Sequence, residues 1–296
     1  MSGAVIQSLP EGVADAARLA NKLGVPFQPI DVHRFPDGEL RVTVGSAAST
    51  TILYVPLDFP NDKLVALLFA AEALRRGGAK RLVLVAPYLC YMRQDTAFHE
   101  GEAISQKVIG NLIASTVDRV ITVDGHLHRT HDLRAVFPGI EAEDLSAMPS
   151  IAAALHGIDW STVVVGPDEE SQAWVSDLAG RLGLAYAVGH KTRNGDRSVE
   201  ISFADPGVFK GRPVLLVDDI VSSGGTFIDA ARALHAAGAA TIDAVITHAL
   251  FPPAMIKDFT RAGIRSVRST SSVPHPTNAI GLDDVLADAL RKETLV

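Results

Sequence analysis

The sequence predicts an α/β protein built from two successive units, each a mainly parallel sheet flanked by helices. Strand-like apolar runs alternate with helix-like segments, and the alternation begins again after about Leu145. The run from Val214 to Val217 is continuously apolar, which is typical of a strand buried in a parallel sheet. A length of 296 residues suits two domains. We expect them at residues 1–145 and 146–296, with the last helix free to pack back on the first domain.

Composition and charge argue against several classes of protein. Apolar residues make up 47% of the chain, enough for two buried cores. The net charge of −7 and the lack of a long basic run argue against binding to nucleic acid or to a membrane surface. A single cysteine, Cys90, excludes an internal disulfide framework and fits a reducing compartment. No apolar run reaches the length of about 18 residues that a membrane span needs. We therefore expect a cytoplasmic protein.

The first half of the chain shows clear element boundaries. Asn61 is the expected cap of the second helix, and Gly77 and Gly78 end it. Residues 32–39 contain a proline and a glycine and predict a polar loop, as do residues 88–102. Strands are predicted at residues 5–9, 40–44, 51–56, 81–86 and 119–123. Helices are predicted at residues 11–23, 61–76 and 104–115.

The second half repeats the pattern. Residues 189–197 are charged and lack an apolar anchor, so they predict a mobile loop. Glu141, Glu143 and Asp144 predict a solvated charge cluster between the halves. Strands are predicted at residues 162–165, 185–188, 199–203, 214–217, 244–247 and 264–268. Helices are predicted at residues 150–155, 171–182, 227–237, 251–262 and 282–291.

Polar residues follow several of these strands. Asp124, Asp168 and Asp218 each come directly after an apolar run or close to its end. Ligands of open α/β sheets bind at the carboxyl ends of the strands. These positions are therefore the first candidates for a functional site.

The segment from Val214 to Thr226 carries the most chemistry, and it reads VLLVDDIVSSGGT. The acids Asp218 and Asp219 suit ribose hydroxyls or a hydrated Mg²⁺. Gly224 and Gly225 would let backbone N–H groups at a helix N-terminus approach a phosphate closely. Hydroxyl donors are added by Ser222, Ser223 and Thr226. A Gly-Gly-Thr turn by itself is equally compatible with an ordinary helix cap.

The whole string resembles the phosphoribosyl-diphosphate (PRPP) motif shared by phosphoribosyltransferases and PRPP synthetases. Residues 87–105 read PYLCYMRQDTAFHEGEAIS, which is similar to a PRPP synthetase pattern that single-domain phosphoribosyltransferases lack. Further matches follow in family order at residues 34–39, 61–62, 123–126, 166–168, 191–193 and 247–251. The resemblance to the ribose-phosphate diphosphokinase (PRPP synthetase) family extends from about Phe35 to Arg291.

The resemblance implies two phosphoribosyltransferase-like domains, the first on the ATP side and the second on the ribose 5-phosphate side. The implied reaction moves the β,γ-diphosphoryl group of ATP to the C1 hydroxyl of ribose 5-phosphate, gives PRPP and AMP, and needs Mg²⁺. Diphosphoryl transfer requires positioning and cations around developing charge. A loop carrying Lys191 and Arg193 that closes over ATP would supply those cations and exclude water.

The resemblance also assigns residues. It implies catalytic roles for Lys191, Arg193 and His126. It implies ATP binding by Phe35, Asp37, Glu39, Arg93, Gln94 and Asp95. It implies ribose 5-phosphate binding by Asp218, Asp219, Ser222, Ser223, Gly224, Gly225 and Thr226. It implies metal contacts at His126 and Asp168. Because Phe35, Asp37 and Glu39 would reach the adenine from a neighbouring subunit, a homo-oligomer of at least two subunits is expected.

Some of these segments are compatible with other interpretations, and one departs from the family pattern. Residues 191–193 are also compatible with a solvated loop, and His126, His128 and His131 with a zinc site, although no cysteine lies nearby. Residues 169–171 read Glu-Glu-Ser where the family usually has a Gly-rich turn. Two extra carboxylates beside a phosphate would be unfavourable unless they face away from it or bind a metal ion. This departure motivates a second hypothesis, a non-catalytic relative that binds PRPP or nucleotides and regulates a partner. A salvage phosphoribosyltransferase is a third, but it leaves the first 145 residues unexplained.

Overall fold

The computed structural model describes residues 3–127, 129–130, 132–194 and 198–294, and it describes residues 192–194 and 198–200 by their backbone alone. The chain divides into two compact units. Unit 1 comprises Met1–Ser146, Ser272–Pro274 and Leu282–Val296, and unit 2 comprises Ala147–Ser271 and His275–Gly281. Within the described residues, none of the helices is both long and apolar enough to cross a bilayer.

Unit 1 is built on a six-stranded parallel sheet. The strands of unit 1 are β1 (Ala4–Ser8), β2 (Phe27–Pro29), β3 (Asp31–Arg34), β4 (Leu40–Thr43), β5 (Thr50–Tyr54), β6 (Arg81–Ala86), β7 (Arg119–Val123) and β8 (Glu141–Leu145). The order in the sheet is β2-β1-β5-β6-β7-β8, while β3 and β4 form a separate antiparallel hairpin. The central strands are buried along their whole length, which requires cover on both faces. Helices α1 (Val13–Leu23), α2 (Pro60–Arg76) and α3 (Ser105–Ala114) accompany this sheet.

Two predictions for unit 1 are wrong in detail. The polar loop expected at residues 32–39 includes a strand, because an antiparallel backbone ladder with β4 stabilises residues that have no apolar alternation. Asn61 does not cap α2, which starts at Pro60 after Phe59 in a left-handed conformation (φ 45°). A proline in the first turn has its φ preset for the helix, so the start lies one residue earlier than expected. Asn61 instead accepts a 2.5 Å hydrogen bond from the Tyr91 hydroxyl.

Unit 2 is built on a seven-stranded sheet. Its helices are α4 (Met148–Ala154), α5 (Gln172–Leu182), α6 (Gly225–Ala236) and α7 (Ile256–Arg261). Its strands are β9 (Val163–Gly166), β10 (Ala185–Asn194), β11 (Ser198–Phe203), β12 (Pro213–Val221), β13 (Thr241–Ala249), β14 (Ile264–Thr270) and β15 (Asn278–Ile280). The order is β11-β10-β9-β12-β13-β14-β15, and every pair except β10–β11 is parallel. The predicted α/β class with mainly parallel sheets is confirmed.

The charged loop expected at residues 189–197 is wrong where the structure describes it. β10 pairs with β9 as far as Val188 and then continues to Asn194 against β11. Gly189 allows this continuation, because a Cβ there would lie 2.4 Å from the Pro167 carbonyl oxygen. The ladder satisfies the backbone polar groups of residues 189–194, and Ile201 and Phe203 of the partner strand β11 are buried in the core of unit 2. Residues 195–197 lie outside the described residues.

The last helix, α8 (Asp283–Thr294), belongs to unit 1 and is tied to the sheet by an ion-pair network. Glu293 accepts hydrogen bonds of 2.7 Å from Nε and Nη2 of Arg81 and of 2.8 Å from Nη1 of Arg119. Arg119 also pairs with Glu143, and Arg81 pairs with Glu141. The solvated charge cluster predicted from Glu141, Glu143 and Asp144 is therefore wrong in part, because Glu141 pairs with Arg81 of β6 and Glu143 pairs with Arg119 of β7.

Replacing Glu293 with alanine is expected to lower the free energy of unfolding of unit 1 by about 3 kcal/mol, because the nearly buried Arg119 loses its most buried partner. Urea denaturation followed by circular dichroism measures the change. The matched control is Glu72→Ala, which removes an exposed pair with Arg76 and should cost less than about 0.5 kcal/mol. Equal losses in the two variants would contradict a structural role for the network.

This network also has a defined pH dependence. The hydrogen bonds from Arg81 hold the pKa of Glu293 below its ordinary value of 4.5. A depressed carboxyl pKa contributes stability that is fully present above the unfolded-state pKa and is lost as the pH falls through the folded-state pKa. The stability difference between the wild type and Glu293→Gln is therefore expected to shrink as the pH falls below 4.5. A difference that grows on acidification would contradict this assignment.

Candidate functional site

The carboxyl end of β12 and the start of α6 form the centre of the site in unit 2. The strand continues through both acids to Val221, four residues beyond the predicted end. The backbone N–H of Asp219 donates to Oδ1 of Asp218 (3.0 Å), and the N–H of Ile220 donates to Oδ1 of Asp219 (2.7 Å). These bonds fix both carboxyl groups against the strand end. The turn that follows leads directly into the N-terminus of α6, where backbone N–H groups and the helix dipole favour an anion.

Two adjacent glycines in this turn have different structural roles. Gly224 is the N-cap of α6 and has a left-handed backbone (φ 71°). A Cβ at Gly224 would lie 2.4 Å from Sδ of Met255 and 2.9 Å from Cε1 of Phe259. A Cβ at Gly225 would meet no atom of the described part of the chain within 4 Å. Gly224 is therefore required by the protein, whereas the open space at Gly225 is available to a ligand.

Three elements bring polar side chains together beside this turn. Nζ of Lys191 in β10 lies 3.9 Å from Oδ2 of Asp168, which follows β9, and 3.5 Å from Oγ1 of Thr226 at the start of α6. The structure thus places a cation between a carboxylate and the predicted phosphate turn. Arg193 lies two residues further along β10, and its side chain is outside the described residues.

The carboxyl groups of this site repel one another. Removal from water, followed by the negative charge of Glu170, raises the pKa of Asp168, while Lys191 opposes the shift. Removal from water, followed by the charges of Asp219 and Asp168, raises the pKa of Asp218 well above its ordinary value. A crowded set of carboxylates disfavours its own ionisation, and a bound cation would relieve that cost.

The contacts of residues 169–171 explain how Glu-Glu-Ser fits in this turn. Glu169 turns to the hairpin, where its Oε1 lies 2.8 Å from Nδ1 of His190. The Ser171 hydroxyl donates to the Asp168 carbonyl and fixes the turn after β9. Gly166 makes room for this serine, because a Cβ there would lie 1.9 Å from its Oγ. Of the two glutamates in this segment, Glu170 is the one whose negative charge raises the pKa of Asp168.

In unit 1, the candidate residues lie after β7. Asp124 (φ 43°) and His126 (φ 55°) both have left-handed backbones, and Gly125 lies between them. Non-glycine residues in this conformation cost about 1–3 kcal/mol each and are concentrated at functional sites. The turn is held by hydrogen bonds from the Gly125 N–H to Oδ1 of Asp144 (2.9 Å) and from the His126 N–H to the Asp124 carbonyl (2.8 Å). Removal from water raises the pKa of Asp144 to about 6. The sequence did not indicate that Asp144 contacts this turn.

The loop after β6 contains the predicted ATP-binding residues Arg93, Gln94 and Asp95. Oε1 of Gln94 accepts a 2.7 Å hydrogen bond from the Ser105 hydroxyl, which anchors the loop to the start of α3. Arg93 is exposed. Asp95 has only 5% of its side chain exposed and forms a 2.8 Å ion pair with Nη1 of Arg129. Nothing in the sequence indicates this ion pair.

Phe35, Asp37 and Glu39 lie in the turn of the β3–β4 hairpin. The Phe35 N–H donates to the Glu39 carbonyl (2.8 Å), and the Glu39 N–H donates to Oδ1 of Asp37 (3.1 Å). The ring of Phe35 packs edge-on against His33 and is 38% exposed. The hairpin therefore presents an aromatic ring from an ordered turn.

Among the residues that the structure describes, no group of three or more His, Cys, Asp or Glu side chains forms a ready-made metal site. The zinc alternative cannot be built from described residues, because His128 and His131 lie outside them.

Comparisons with known proteins agree over nearly the whole chain. Residues 5–116 match the family model described as the N-terminal domain of ribose phosphate pyrophosphokinase, and residues 150–272 match the phosphoribosyl transferase domain. A ribose-phosphate pyrophosphokinase of Methanopyrus kandleri is 32% identical over 97% of this chain and 98% of its own. Ribose-phosphate pyrophosphokinase 2 of Archaeoglobus fulgidus is 34% identical over 92% of this chain and 95% of its own.

A solved structure agrees as well. The crystal structure of phosphoribosylpyrophosphate synthetase from Mycobacterium smegmatis superposes with a TM-score of 0.83 at 25% identity, and the match covers 98% of both chains. The fold expected from the resemblance, two phosphoribosyltransferase-like domains, is confirmed by these matches.

Proposed function

The chain belongs to the ribose-phosphate pyrophosphokinase family, and from that premise we propose a residue-level account of a Mg²⁺-dependent transfer of the β,γ-diphosphoryl group of ATP to ribose 5-phosphate. The observation that carries the proposal is the convergence of Lys191, Asp168 and Thr226 beside the turn that joins β12 to α6. A phosphate turn, acids for ribose hydroxyls and a cation for the transferred group meet there.

Ribose 5-phosphate binds in unit 2 in this account. The phosphate lies against the N-terminus of α6, over the open space at Gly225, where N–H groups and the hydroxyls of the turn donate to it. The ribose hydroxyls donate to the carboxylates of Asp218 and Asp219, which their own backbone bonds hold in place. This arrangement leaves C1 of the sugar towards Asp168 and Lys191.

Mg²⁺ fits the donor set of this site. It prefers oxygen ligands and is usually held by one or two carboxylates together with substrate phosphates and water. Asp168 and Asp218 offer such carboxylates. Removal from water and the charges of neighbouring acids raise the pKa of each, and a divalent cation would favour their ionised forms. When bound, the ion would neutralise charge on the diphosphate and orient it.

The transfer itself needs little covalent help from the protein. The C1 hydroxyl oxygen attacks the β-phosphorus of ATP, the bond to the α-phosphate oxygen breaks, and AMP leaves as the hydroxyl proton is released. Lys191 and Arg193 stabilise the charge that develops on the transferred group. The strained turn at His126 and the loop with Arg93 and Gln94 would hold ATP.

We also propose a homo-oligomer and a cytoplasmic location. The exposed ring of Phe35 on an ordered hairpin turn supports the expectation that this tip reaches the adenine site of a neighbouring subunit. The single cysteine, Cys90, supports a reducing compartment.

The test is an assay of purified protein with Mg²⁺, ATP and ribose 5-phosphate, in which AMP is followed with and without added phosphate. AMP formation that depends on ribose 5-phosphate is the expected result. PRPP consumption with a purine or pyrimidine base, but no AMP formation, would identify a salvage transferase instead. If neither reaction occurs but PRPP or a nucleotide still binds, the protein would be assigned as the regulatory relative.

Replacing Asp168 with asparagine is expected to raise the Mg²⁺ concentration for half-maximal activity by at least about tenfold, because one anionic oxygen ligand is lost. A Mg²⁺ titration of AMP formation measures this shift. Asp177→Asn is the control, because Asp177 forms an exposed pair with Arg181 on α5. A Mg²⁺ requirement unchanged in Asp168→Asn would exclude this carboxylate as a ligand.

A further inference from the structure

We propose that Arg129 binds the phosphate groups of ATP, with Asp95 as the residue that positions it. This inference rests on the proposed function, and it reassigns Asp95, for which the family resemblance implies a role in ATP binding. The starting point is a contact between two segments of unit 1, in which Nη1 of Arg129 lies 2.8 Å from Oδ1 of Asp95.

The two partners differ sharply in exposure. The side chain of Asp95 is 5% exposed, so it has little surface left for a ligand, whereas that of Arg129 is 63% exposed. An ionised carboxylate accepts hydrogen bonds only and is repelled by a triphosphate. A guanidinium has five N–H donors in a planar fork that matches phosphate oxygens. Asp95 engages one edge of Arg129, and the exposed edge remains for an anion.

Further contacts hold the Arg129 side chain and its segment in place. The guanidinium carbon lies 5.7 Å from the centre of the Phe98 ring, within the range of a cation–π interaction. The Thr130 hydroxyl donates to Oε1 of Gln106 (3.1 Å), and Nε2 of Gln106 donates to the Met92 carbonyl (3.3 Å). The segment after β7 is thereby attached to the loop after β6. An arginine fixed in this way loses less entropy on binding than a free surface side chain.

The position of Arg129 in the chain supports binding to the ATP phosphates. Arg129 lies three residues after His126, in the segment that follows the strained turn. Its partner Asp95 lies two residues after Arg93 and directly after Gln94. Residues implied in ATP binding therefore flank both members of the Asp95–Arg129 pair along the chain. A triphosphate bound among them would gain a charge-assisted contact from it.

The test compares Arg129→Ala, Arg129→Lys, Asp95→Asn and the Arg129→Ala/Asp95→Asn double variant in the AMP-forming assay. Arg129→Ala is expected to raise the KM for ATP about tenfold or more and to leave the KM for ribose 5-phosphate within about twofold. Arg129→Lys should recover part of the loss, because it restores the charge without the planar fork. Asp95→Asn should weaken ATP binding in the wild-type background and add nothing in the Arg129→Ala background.

The matched control is Arg134→Ala. Arg134 is 75% exposed and pairs with Asp132 in the same segment, so its loss removes an equivalent charge and ion pair. Its KM for ATP should stay within about twofold of the wild type. An unchanged KM for ATP in Arg129→Ala, an equal effect in Arg134→Ala, or an additive effect of Asp95→Asn would each overturn the proposal.

Isothermal titration of the same variants with Mg·ATP, in the absence of ribose 5-phosphate, separates this inference from the proposed function. AMP formation by the wild type with equal ATP affinity in Arg129→Ala would overturn the role of Arg129 alone. ATP binding that weakens in Arg129→Ala, in a wild type that forms no AMP, would uphold the contact and overturn the reaction. No binding of ATP to the wild type would overturn both.

Discussion

Replacing Lys191 with alanine is expected to lower kcat for AMP formation about 100- to 1,000-fold, the usual loss when one preorganised donor to a transition-state charge is removed. Lys191 Nζ is held between Oδ2 of Asp168 (3.9 Å) and Oγ1 of Thr226 (3.5 Å), so its charge is already in place before the substrates bind. Because the charge on the transferred group increases during the reaction, kcat should fall much more than the KM for ribose 5-phosphate rises.

Steady-state kinetics of Lys191→Ala, Lys191→Arg and Lys210→Ala test this prediction. Lys191→Arg keeps the charge on a differently shaped head group and should retain part of the activity. Lys210 is an exposed lysine of unit 2 that lies next to Ala239, near the amino-terminal ends of β12 and β13, and its loss should leave kcat unchanged. If Lys191→Ala kept kcat within about threefold of the wild type, Lys191 would be a solvated side chain that takes no part in the reaction.

Gly224→Ala and Gly225→Ala are both expected to weaken the binding of ribose 5-phosphate, but for different reasons. At Gly224 an alanine must adopt φ near 71° and overlaps Met255 and Phe259, so we expect a loss of about 2–4 kcal/mol in stability and a displaced turn. Ribose 5-phosphate binding should be lost with the turn. At Gly225 the added methyl meets no atom within 4 Å among the residues that the structure describes, so the melting temperature should not fall. The methyl would occupy the space assigned to the phosphate, and the KM for ribose 5-phosphate should rise about tenfold or more.

Thermal denaturation and substrate titration of both variants measure the contrast. The two glycines are neighbours in one turn, so each serves as the control for the other. A Gly225→Ala variant with wild-type KM for ribose 5-phosphate would place the phosphate elsewhere. A Gly224→Ala variant as stable as the wild type would mean that the side chains of Met255 and Phe259 move aside without cost.

The sequence was informative where one local pattern determined the structure. The apolar run before Asp218 and the glycines after it were enough to place an acid pair and a glycine turn at the carboxyl end of a parallel strand. The structure extends that strand to Val221 but keeps the same order of features. The family resemblance added the reaction, because the turn is shared by enzymes with different chemistry and only the segment at residues 87–105 distinguishes them.

The features that the sequence missed depend on contacts between distant segments. The part of β10 at residues 189–194 is charged and has no apolar alternation, and a backbone ladder with β11 orders it. The Asp95–Arg129 pair joins residues 34 positions apart, and nothing in either segment indicates the other. Asp144 was grouped with Glu141 and Glu143 as solvated charge because the three are close in sequence, although only Asp144 contacts the turn at Gly125.

The most direct test of the central claim is ³¹P NMR of one reaction that contains the wild-type protein, Mg²⁺, ATP and ribose 5-phosphate. The account predicts that the resonances of ATP are replaced in equal amounts by those of AMP and of a diphosphate attached to C1 of ribose 5-phosphate. Formation of ADP together with a singly phosphorylated C1 would show transfer of one phosphoryl group and contradict the proposed reaction. An unchanged ATP spectrum in the presence of both Mg²⁺ and ribose 5-phosphate would contradict catalysis by this chain.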